Sequence, residues 1–217
     1  MRLTHLGHAC LLVEVGSARV LVDPGTFSSG FAGLTGLDAV VVTHQHADHL
    51  DLARLIPLLA SNPAVLLLAD RQTATMLADR ADIALRTMVA GEAVAVRDVT
   101  IHPIGELHAV NHGGVPRCTN VGVVVRADGE PSLYHPGDAY DGEPGHVDVL
   151  AVPVNAPWCK VSESIDFVRR VAPRVVTPIH QALLSPAGRD LYLSHITTYG
   201  GDDLEVLDLS DGVAHEV

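Results

Sequence analysis

Residues 43–49 read Thr43-His44-Gln45-His46-Ala47-Asp48-His49. Four side chains in this run can bind metals, namely His44, His46, Asp48 and His49. Imidazole nitrogens are good ligands for zinc and iron, and a carboxylate adds an anionic oxygen ligand. Packing alone gives little reason to place three histidines and an aspartate so close together. The run therefore predicts a metal site.

An apolar segment, residues 37–42, directly precedes this run and predicts a buried strand. The candidate ligands then lie where a strand ends and a loop begins. Catalytic groups concentrate on loops that a rigid scaffold holds in place. The position of the run in the chain therefore favours a functional site over a purely structural one.

Further strands and helices are predicted along the whole chain. Strands are expected at 10–15, 18–22, 64–69, 84–89, 93–96, 98–104, 121–126, 132–135, 147–154, 174–179 and 204–209. Helices are expected at 52–60 with a bend or restart at Pro57, from the cap Asp70 through Arg80, at 162–171, and from the cap Ser185 to about Tyr199. This order indicates an α/β protein with two similar halves. No linker divides it, so we expect one domain over residues 1–217.

The composition limits the classes of protein to consider. The chain has 217 residues, of which 47% are hydrophobic, and this is enough to bury a core. No apolar run is long enough for a membrane span, and the start of the chain lacks a signal-peptide pattern. The three cysteines form no CxxC pair, which favours a reducing, cytoplasmic setting. We expect the cysteines themselves to be small, buried, apolar side chains.

Charge and histidine content point in one direction. The formal net charge of −12, without a Lys/Arg run, argues against a nucleic-acid partner. Thirteen histidines accompany only 14 lysines and arginines, a balance that favours metal or proton chemistry. We therefore expect a small-molecule substrate, with neither a nucleic acid nor a membrane as partner.

Three more metal-capable residues follow predicted strands. They are His108, Asp138 and His180, each at a strand end or in a loop with Gly or Pro nearby. Together with the run at 44–49 they make five histidines and two aspartates. Seven ligands are too many for one tetrahedral ion, and they suit two metals that share a bridging carboxylate.

Several other residues leave alternatives open. His112 could replace His108 as the ligand; otherwise it is a candidate substrate contact or a surface histidine. Trp158 is either a core residue or a wall of the substrate pocket. His8 and His135 flank strands, and a structural role is favoured over metal binding for both.

The motif order resembles that of the metallo-β-lactamase-fold hydrolases. The HxHxDH run, a later histidine, a Gly-Asp after a strand and a final histidine follow the order of that family. The segments Leu6-Gly7-His8-Ala9, Asp23-Pro24 and Tyr134-His135-Pro136-Gly137-Asp138 resemble one subgroup, the small single-domain hydrolases similar to L-ascorbate-6-phosphate lactonase. The resemblance covers residues 2 to about 209.

This resemblance implies a four-layer αββα sandwich with two metals at one edge of its sheets. It implies one metal on His44, His46 and His108, a second on Asp48, His49 and His180, and Asp138 as the bridge. It also implies that Asp23 supports the histidine loop from behind.

The expected activity is hydrolysis of a small ester, lactone or amide by a water that two divalent metals activate. Zinc is the first choice, with manganese or iron as alternatives. Asp48 could also orient that water and take its proton. The alternatives are a phosphodiesterase for a small phosphate ester and a non-catalytic metal-binding protein of the same fold. The sequence holds no GxSxG motif and no P-loop.

Overall fold

The computed structural model describes residues 1–79 and 83–217, and these residues form two seven-stranded sheets. The strands of the first sheet are β1 (Arg2–His5), β2 (Leu11–Val15), β3 (Ala18–Val22), β4 (Ala39–Val42), β5 (Leu66–Ala69), β6 (Leu85–Thr87) and β14 (His215–Glu216). Their order across the sheet is β14-β1-β2-β3-β4-β5-β6. The last strand therefore returns to pair with the first, so that both ends of the chain lie at one sheet edge.

The second sheet is built from the later part of the chain. Its strands are β7 (Val94–Val96), β8 (Val99–Ile104), β9 (Gly122–Ala127), β10 (Leu133–His135), β11 (Val149–Pro153), β12 (Val175–Ile179) and β13 (Glu205–Val206). Their order across the sheet is β13-β12-β11-β10-β9-β8-β7. Apart from β14, each half of the chain thus forms one sheet.

Helices cover the outer face of each sheet. They are α1 (Leu52–Ser61), α2 (Arg71–Met76), α3 (Val161–Val171) and α4 (Pro186–Tyr199). The predicted caps are present: Asp70 accepts hydrogen bonds from the N–H groups of Gln72 and Thr73, and Ser185 accepts one from Gly188. No helix in the described parts of the chain combines the length and the apolarity that a membrane crossing requires.

Alternating strand residues build three separate cores, and these define the layers. In β4, Ala39 and Val41 belong to the core between the two sheets, whereas Val40 and Val42 pack with α1. On the second sheet the outward residues pack with α3 and α4, including Phe167. Because side chains on a strand point alternately to its two faces, each sheet buries both. The layers are helix, sheet, sheet and helix, and the predicted αββα sandwich is confirmed.

Helix α1 differs from its prediction at Pro57. The helix runs without interruption from Leu52 to Ser61, although a bend or restart was expected. Proline lacks the N–H that would bond to the carbonyl of Ala53. Ala53 is exposed, so water can satisfy that carbonyl and the helix can continue.

Several elements are shorter than predicted, among them α2 and the last predicted strand. Helix α2 ends at Met76, and the predicted end at Arg80 lies outside the described residues. The last predicted strand, 204–209, is reduced to β13, which pairs with β12 over two residues. Asp208 then accepts a hydrogen bond from the N–H of Ser210, and this local turn ends the extended segment.

The sheet topology brings four loops to one edge of the sandwich. Strands β8, β10 and β12 run in the same direction, because β9 is antiparallel to both β8 and β10 while β10, β11 and β12 are parallel. The loops that follow these strands carry His108, Asp138 and His180. Strand β4 ends at Val42, directly before residues 43–49.

Candidate metal centre

The buried carboxylate of Asp23 holds the histidine loop in place. Its Oδ1 accepts a hydrogen bond of 2.8 Å from the N–H of Thr43, and its Oδ2 accepts one of 2.7 Å from the Thr43 hydroxyl. The Nδ1 of His49 lies 2.7 Å from the same Oδ2. With Nδ1 bonded to this carboxylate, the Nε2 of His49 is the nitrogen that faces the centre. The tautomer and the orientation of the ring are thereby set.

Three histidines form the first group of candidate ligands. One ligand atom each from His44, His46 and His108 lies within 4.8 Å of the others. The Nε2 of His44 and the Nδ1 of His46 are 3.1 Å apart. The Nδ1 of His108 donates to the carbonyl of Ala109 at 2.6 Å, which leaves its Nε2 directed at the group. This set can hold one metal ion on neutral imidazoles.

A second group contains one carboxylate and three histidines, His8, Asp48, His49 and His180, again within 4.8 Å of one another. The Oδ2 of Asp48 lies 3.4 Å from the Nε2 of His180 and 4.0 Å from that of His49. The Nδ1 of His180 donates to the carbonyl of Asn155 at 2.6 Å, so its Nε2 faces inward. An oxygen with two or three imidazole nitrogens is a donor set that suits a divalent metal.

Asp138 lies between the two groups. One of its carboxylate oxygens is 3.1 Å from the Nε2 of His49, and the other is 3.3 Å from the Nε2 atoms of both His108 and His180. The backbone N–H of Asp138 donates to Asn120 at 2.9 Å, which anchors the loop. A single carboxylate that faces both groups has the position of a bridging ligand.

Four buried ligand atoms point into this centre. They lie at ion-pair distance from one another or from the second oxygen of Asp138, but none of them forms a hydrogen bond among the described residues. They are the Nε2 atoms of His49, His108 and His180 and the Oδ1 of Asp138. A buried polar atom that is left unpaired costs about 1–3 kcal/mol. Metal ions would satisfy all four of these atoms, so the residues present fit a metal centre.

The two groups differ in protonation. Burial, with His49 nearby, holds the pKa of His44 well below its ordinary value, and burial lowers the pKa of His46 as well. Burial would also lower the pKa of His180, but Asp138 and Asp48 beside it raise that pKa to about 9. The pKa of His49 is raised well above its ordinary value for a similar reason, because Asp138 and Asp23 outweigh its burial.

The carboxylate of Asp138 shows the matching effect. Burial would raise its pKa, but the positive charges of His49 and His180 hold it well below the ordinary value. Without metal, His49 and His180 are therefore imidazolium ions beside the carboxylates of Asp48 and Asp138, whereas His8, His44 and His46 are neutral.

His8 contacts a candidate ligand, although the sequence favoured a structural role for this residue. The backbone N–H of Ala182 donates to its Nδ1 at 3.4 Å, so the proton of the neutral ring is on Nε2. That Nε2 lies 3.1 Å from the Oδ2 of Asp48 and donates to it. The ring also packs on His180, with 3.9 Å between centroids. Gly7 and His8, in the turn after β1, both have positive φ angles, a conformation that the sequence does not show.

Two other candidate histidines, His135 and His112, are not among the groups of candidate ligands. His135 is bonded to backbone on both nitrogens, at Ala9 and Gly137, as a structural histidine would be. His112 is exposed, and its Nδ1 accepts the N–H of Gly114. His112 is not among the candidate ligands that the structure brings together, and its predicted role in substrate binding stays a prediction.

Two residues from loops approach the centre. The indole N–H of Trp158 donates to the Oδ2 of Asp138 at 2.8 Å, which places Trp158 at the edge of the centre and not in the core. The Sγ of Cys118 lies 3.6 Å from the Nε2 of His46. From the sequence, Cys118 lies in a loop that could approach the site, but a small buried side chain was the favoured interpretation.

Comparison with known proteins agrees with the fold. The model of the beta-lactamase superfamily domain matches residues 2–180. Protein Rv0786c of Mycobacterium tuberculosis is 45% identical over 208 residues, which cover 95% of this chain and 96% of that protein. A UPF0173 metal-dependent hydrolase of Methanoregula boonei is 31% identical over 190 residues, with 83% of this chain and 82% of the relative covered.

The solved structures agree at the level of the fold. Igni18, described as a metallo hydrolase from Ignicoccus hospitalis, superposes with a TM-score of 0.75 over 100% of this chain and 98% of its own, at 20% identity. The chain therefore belongs to the beta-lactamase superfamily, among the UPF0173 metal-dependent hydrolases, in agreement with the predicted metallo-β-lactamase fold.

Proposed function

We propose that this hydrolase uses a dinuclear centre on seven residues to cleave a small ester, lactone or amide. The first metal would be held by His44, His46 and His108, the second by Asp48, His49 and His180, with Asp138 as the bridge. The observation that carries the proposal is the convergence of four unpaired buried ligand atoms around Asp138. Zinc is the metal we favour, with manganese or iron as alternatives that the same donors accept.

When bound, two divalent ions supply Lewis acidity that polarises the substrate oxygen and lowers the pKa of a water. The chain positions the other reactants. Asp48 is fixed by the donated hydrogen bond from His8, and its free carboxylate edge can orient an attacking water. Burial would raise the pKa of Asp48, but the imidazoles of His180 and His8 hold it below its ordinary value. Asp48 is accordingly better suited to orient the water than to keep its proton.

The substrate class rests on the surroundings of the centre. A cavity of about 410 Å³ adjoins it, which suits a small molecule. Trp158 belongs to the wall of this cavity and contacts Asp138, which supports its predicted role in substrate binding. The net charge of −12 argues against a nucleic-acid substrate. We also propose that the chain acts as one domain in a reducing, cytoplasmic setting, where the free cysteines are stable.

Metal analysis and a substrate screen test this function. The untreated protein should contain two metals per chain by elemental analysis, and it should hydrolyse members of a panel of lactones, esters and amides. His46→Ala should abolish turnover, whereas His146→Ala removes an exposed histidine away from the centre and should retain it.

The screen also separates the alternatives. Turnover of bis-p-nitrophenyl phosphate alone would replace the proposed activity with phosphodiester cleavage. Metal binding without turnover of any of these substrates would favour the non-catalytic alternative. Unchanged hydrolysis in His46→Ala would contradict the metal-centred mechanism itself.

A further inference from the structure

The cavity beside the candidate metal centre is lined in part by residues that adjoin the candidate ligands. It is lined by Ala109 and Ala139, which directly follow His108 and Asp138 in the chain, and by Trp158. The two alanines leave room next to the candidate ligands, and the volume is about 410 Å³. A substrate group held in this cavity would therefore lie next to the reacting bond.

Two aromatic residues give the cavity apolar ring surface without free donors. The rings of Tyr140 and Trp158 meet edge to face, with 4.8 Å between centroids. The Tyr140 hydroxyl donates to the carbonyl of Pro153 at 2.5 Å, and the Trp158 N–H donates to Asp138. Both polar ends are thus already bonded. Aromatic rings attract cations through their electron-rich faces.

The charged residues of the cavity wall are mostly acidic. They are Asp141, Glu163, Asp166 and Arg170. Within residues 1–79 and 83–217, neither Asp141 nor Asp166 forms an ion pair. Three carboxylates against one guanidinium give the wall a net negative charge. Such a wall attracts cationic groups and repels phosphate or carboxylate groups.

The one cation of the wall is already engaged. Arg170 donates to the backbone carbonyl of Tyr140, and its Nε lies 3.5 Å from a carboxylate oxygen of Glu143. Its guanidinium also stacks over Phe167, 5.2 Å from the ring centroid. Arg170 thus has little capacity left to bind an anion.

We propose that this cavity binds a cationic, ammonium-type group of the substrate. The proposal rests on the hydrolase function above, since the cavity can hold part of a substrate only if the neighbouring centre cleaves that substrate. It narrows the substrate class to small esters, lactones or amides that carry a positive charge a short distance from the cleaved bond. A phosphorylated or carboxylated substrate would meet carboxylates in the same place.

The single tryptophan of the chain makes the binding step directly observable. Choline and 3,3-dimethyl-1-butanol have nearly the same shape and differ in charge. Each is titrated into the metal-loaded protein while Trp158 fluorescence is recorded. Choline should bind about tenfold more tightly than the neutral alcohol, in the range expected for a cation against aromatic rings and carboxylates.

Charge-neutral variants test the source of this preference. The double variant Asp141→Asn/Asp166→Asn should reduce it to less than about threefold. Asp128→Asn is the matched control, because Asp128 is exposed in the turn after β9, at the opposite end of that strand from the centre. It should retain the full preference.

Equal binding of the two probes, or a preference unchanged in the double variant, would overturn the proposal. The titration needs no turnover, so it can fail while the hydrolysis screen succeeds. A preserved choline preference in a protein that hydrolyses nothing would instead contradict only the proposed function.

Discussion

The Nε2 of His8 lies 3.1 Å from the Oδ2 of Asp48 and donates a hydrogen bond to it. His8 also accepts the backbone N–H of His180 on its carbonyl oxygen at 2.8 Å. The turn after β1 thereby contacts two candidate ligands of the second metal, one through its side chain and one through its backbone. Because both ring nitrogens of His8 are bonded, we propose that His8 is a positioning residue and not a further ligand.

Replacement of His8 should weaken metal binding at the second group. In His8→Ala the Asp48 carboxylate loses its donor, and the affinity for the second metal should fall by about 10- to 100-fold. Chelator competition followed by elemental analysis measures this. His8→Gln keeps an N–H donor near the same position and should recover much of the loss. Equal affinity in wild type and His8→Ala would show that the contact is incidental.

Asp138→Asn should lower the metal content of the protein from two ions per chain to one or fewer. The substitution keeps the size of the side chain but removes the negative charge that faces His49, His108 and His180. Elemental analysis after gel filtration gives the stoichiometry. Asp128→Asn serves as the control and should keep both ions, and two ions retained by Asp138→Asn would exclude a bridging role.

Metal uptake near pH 7 should release about two protons per chain, because His49 and His180 must lose a proton before they can bind a metal. The pKa of both is raised in the metal-free protein, that of His180 to about 9, so both are charged at neutral pH. Calorimetric titrations in buffers of different ionisation enthalpy measure the release. Uptake without proton release would contradict this charge distribution.

The same shift predicts how the metal-free protein responds to pH. The folded pKa of His180 is above its unfolded value, so its contribution to stability is complete below about pH 6.5. That contribution is lost as the pH rises through about 9. The Tm of the metal-free protein should accordingly fall over this interval, while the metal-loaded protein should not follow it.

Trp158→Phe should reduce kcat/KM by about 10- to 100-fold, since a hydrogen bond to a charged group contributes about 1.5–3 kcal/mol. The ring remains, but the N–H that donates to Asp138 is lost. Steady-state kinetics on the best substrate of the screen measure the effect. Trp158→Ala removes the wall as well and should raise KM further. A Phe variant with wild-type kinetics would confine Trp158 to a packing role.

Gly25→Ala should destabilise the protein by about 1–3 kcal/mol and disturb the histidine loop. A Cβ at this position would lie 1.8 Å from the backbone oxygen of Asp48, a contact that only a shift of the loop can relieve. Chemical denaturation and metal analysis measure both effects. Gly33→Ala is the matched control, because no described atom lies within 4 Å of its added Cβ and it should be neutral.

Much of the fold follows from local pattern. The apolar segment at 37–42 and the helix at 186–199 were predicted because each carries its own signal, a continuous apolar run in one case and a capped start in the other. Strand β13 was predicted too long, and β14 was not predicted. Two-residue strands have no periodicity to detect, and they exist because a neighbouring strand offers free hydrogen-bonding groups.

Some residues of the candidate site were likewise predictable from local pattern, and others were not. Four metal-capable residues were adjacent in the chain, and three others were inferred from strand ends. The role of His8 could not be found from its neighbours, because the residue that sets its tautomer, Ala182, is 174 positions away. The choice between His108 and His112 also needed the structure, which places His108 and not His112 among the candidate ligands, since spacing along the chain does not show the direction of a loop.

The amino-acid sequence by itself determined the α/β class and the run of candidate ligands, because these depend on residue type and short-range spacing, and its motif order carried the resemblance that implied the family and the layered fold. Only the tertiary structure decided which side of Asp138 faces which histidine, which nitrogen of each ring is free, and which charged residues surround the adjoining cavity. Those features depend on contacts between segments that are distant in the chain, and no local pattern encodes them. Residues 43–49 identify a candidate metal site, whereas the packing of other loops around them determines which atoms face it.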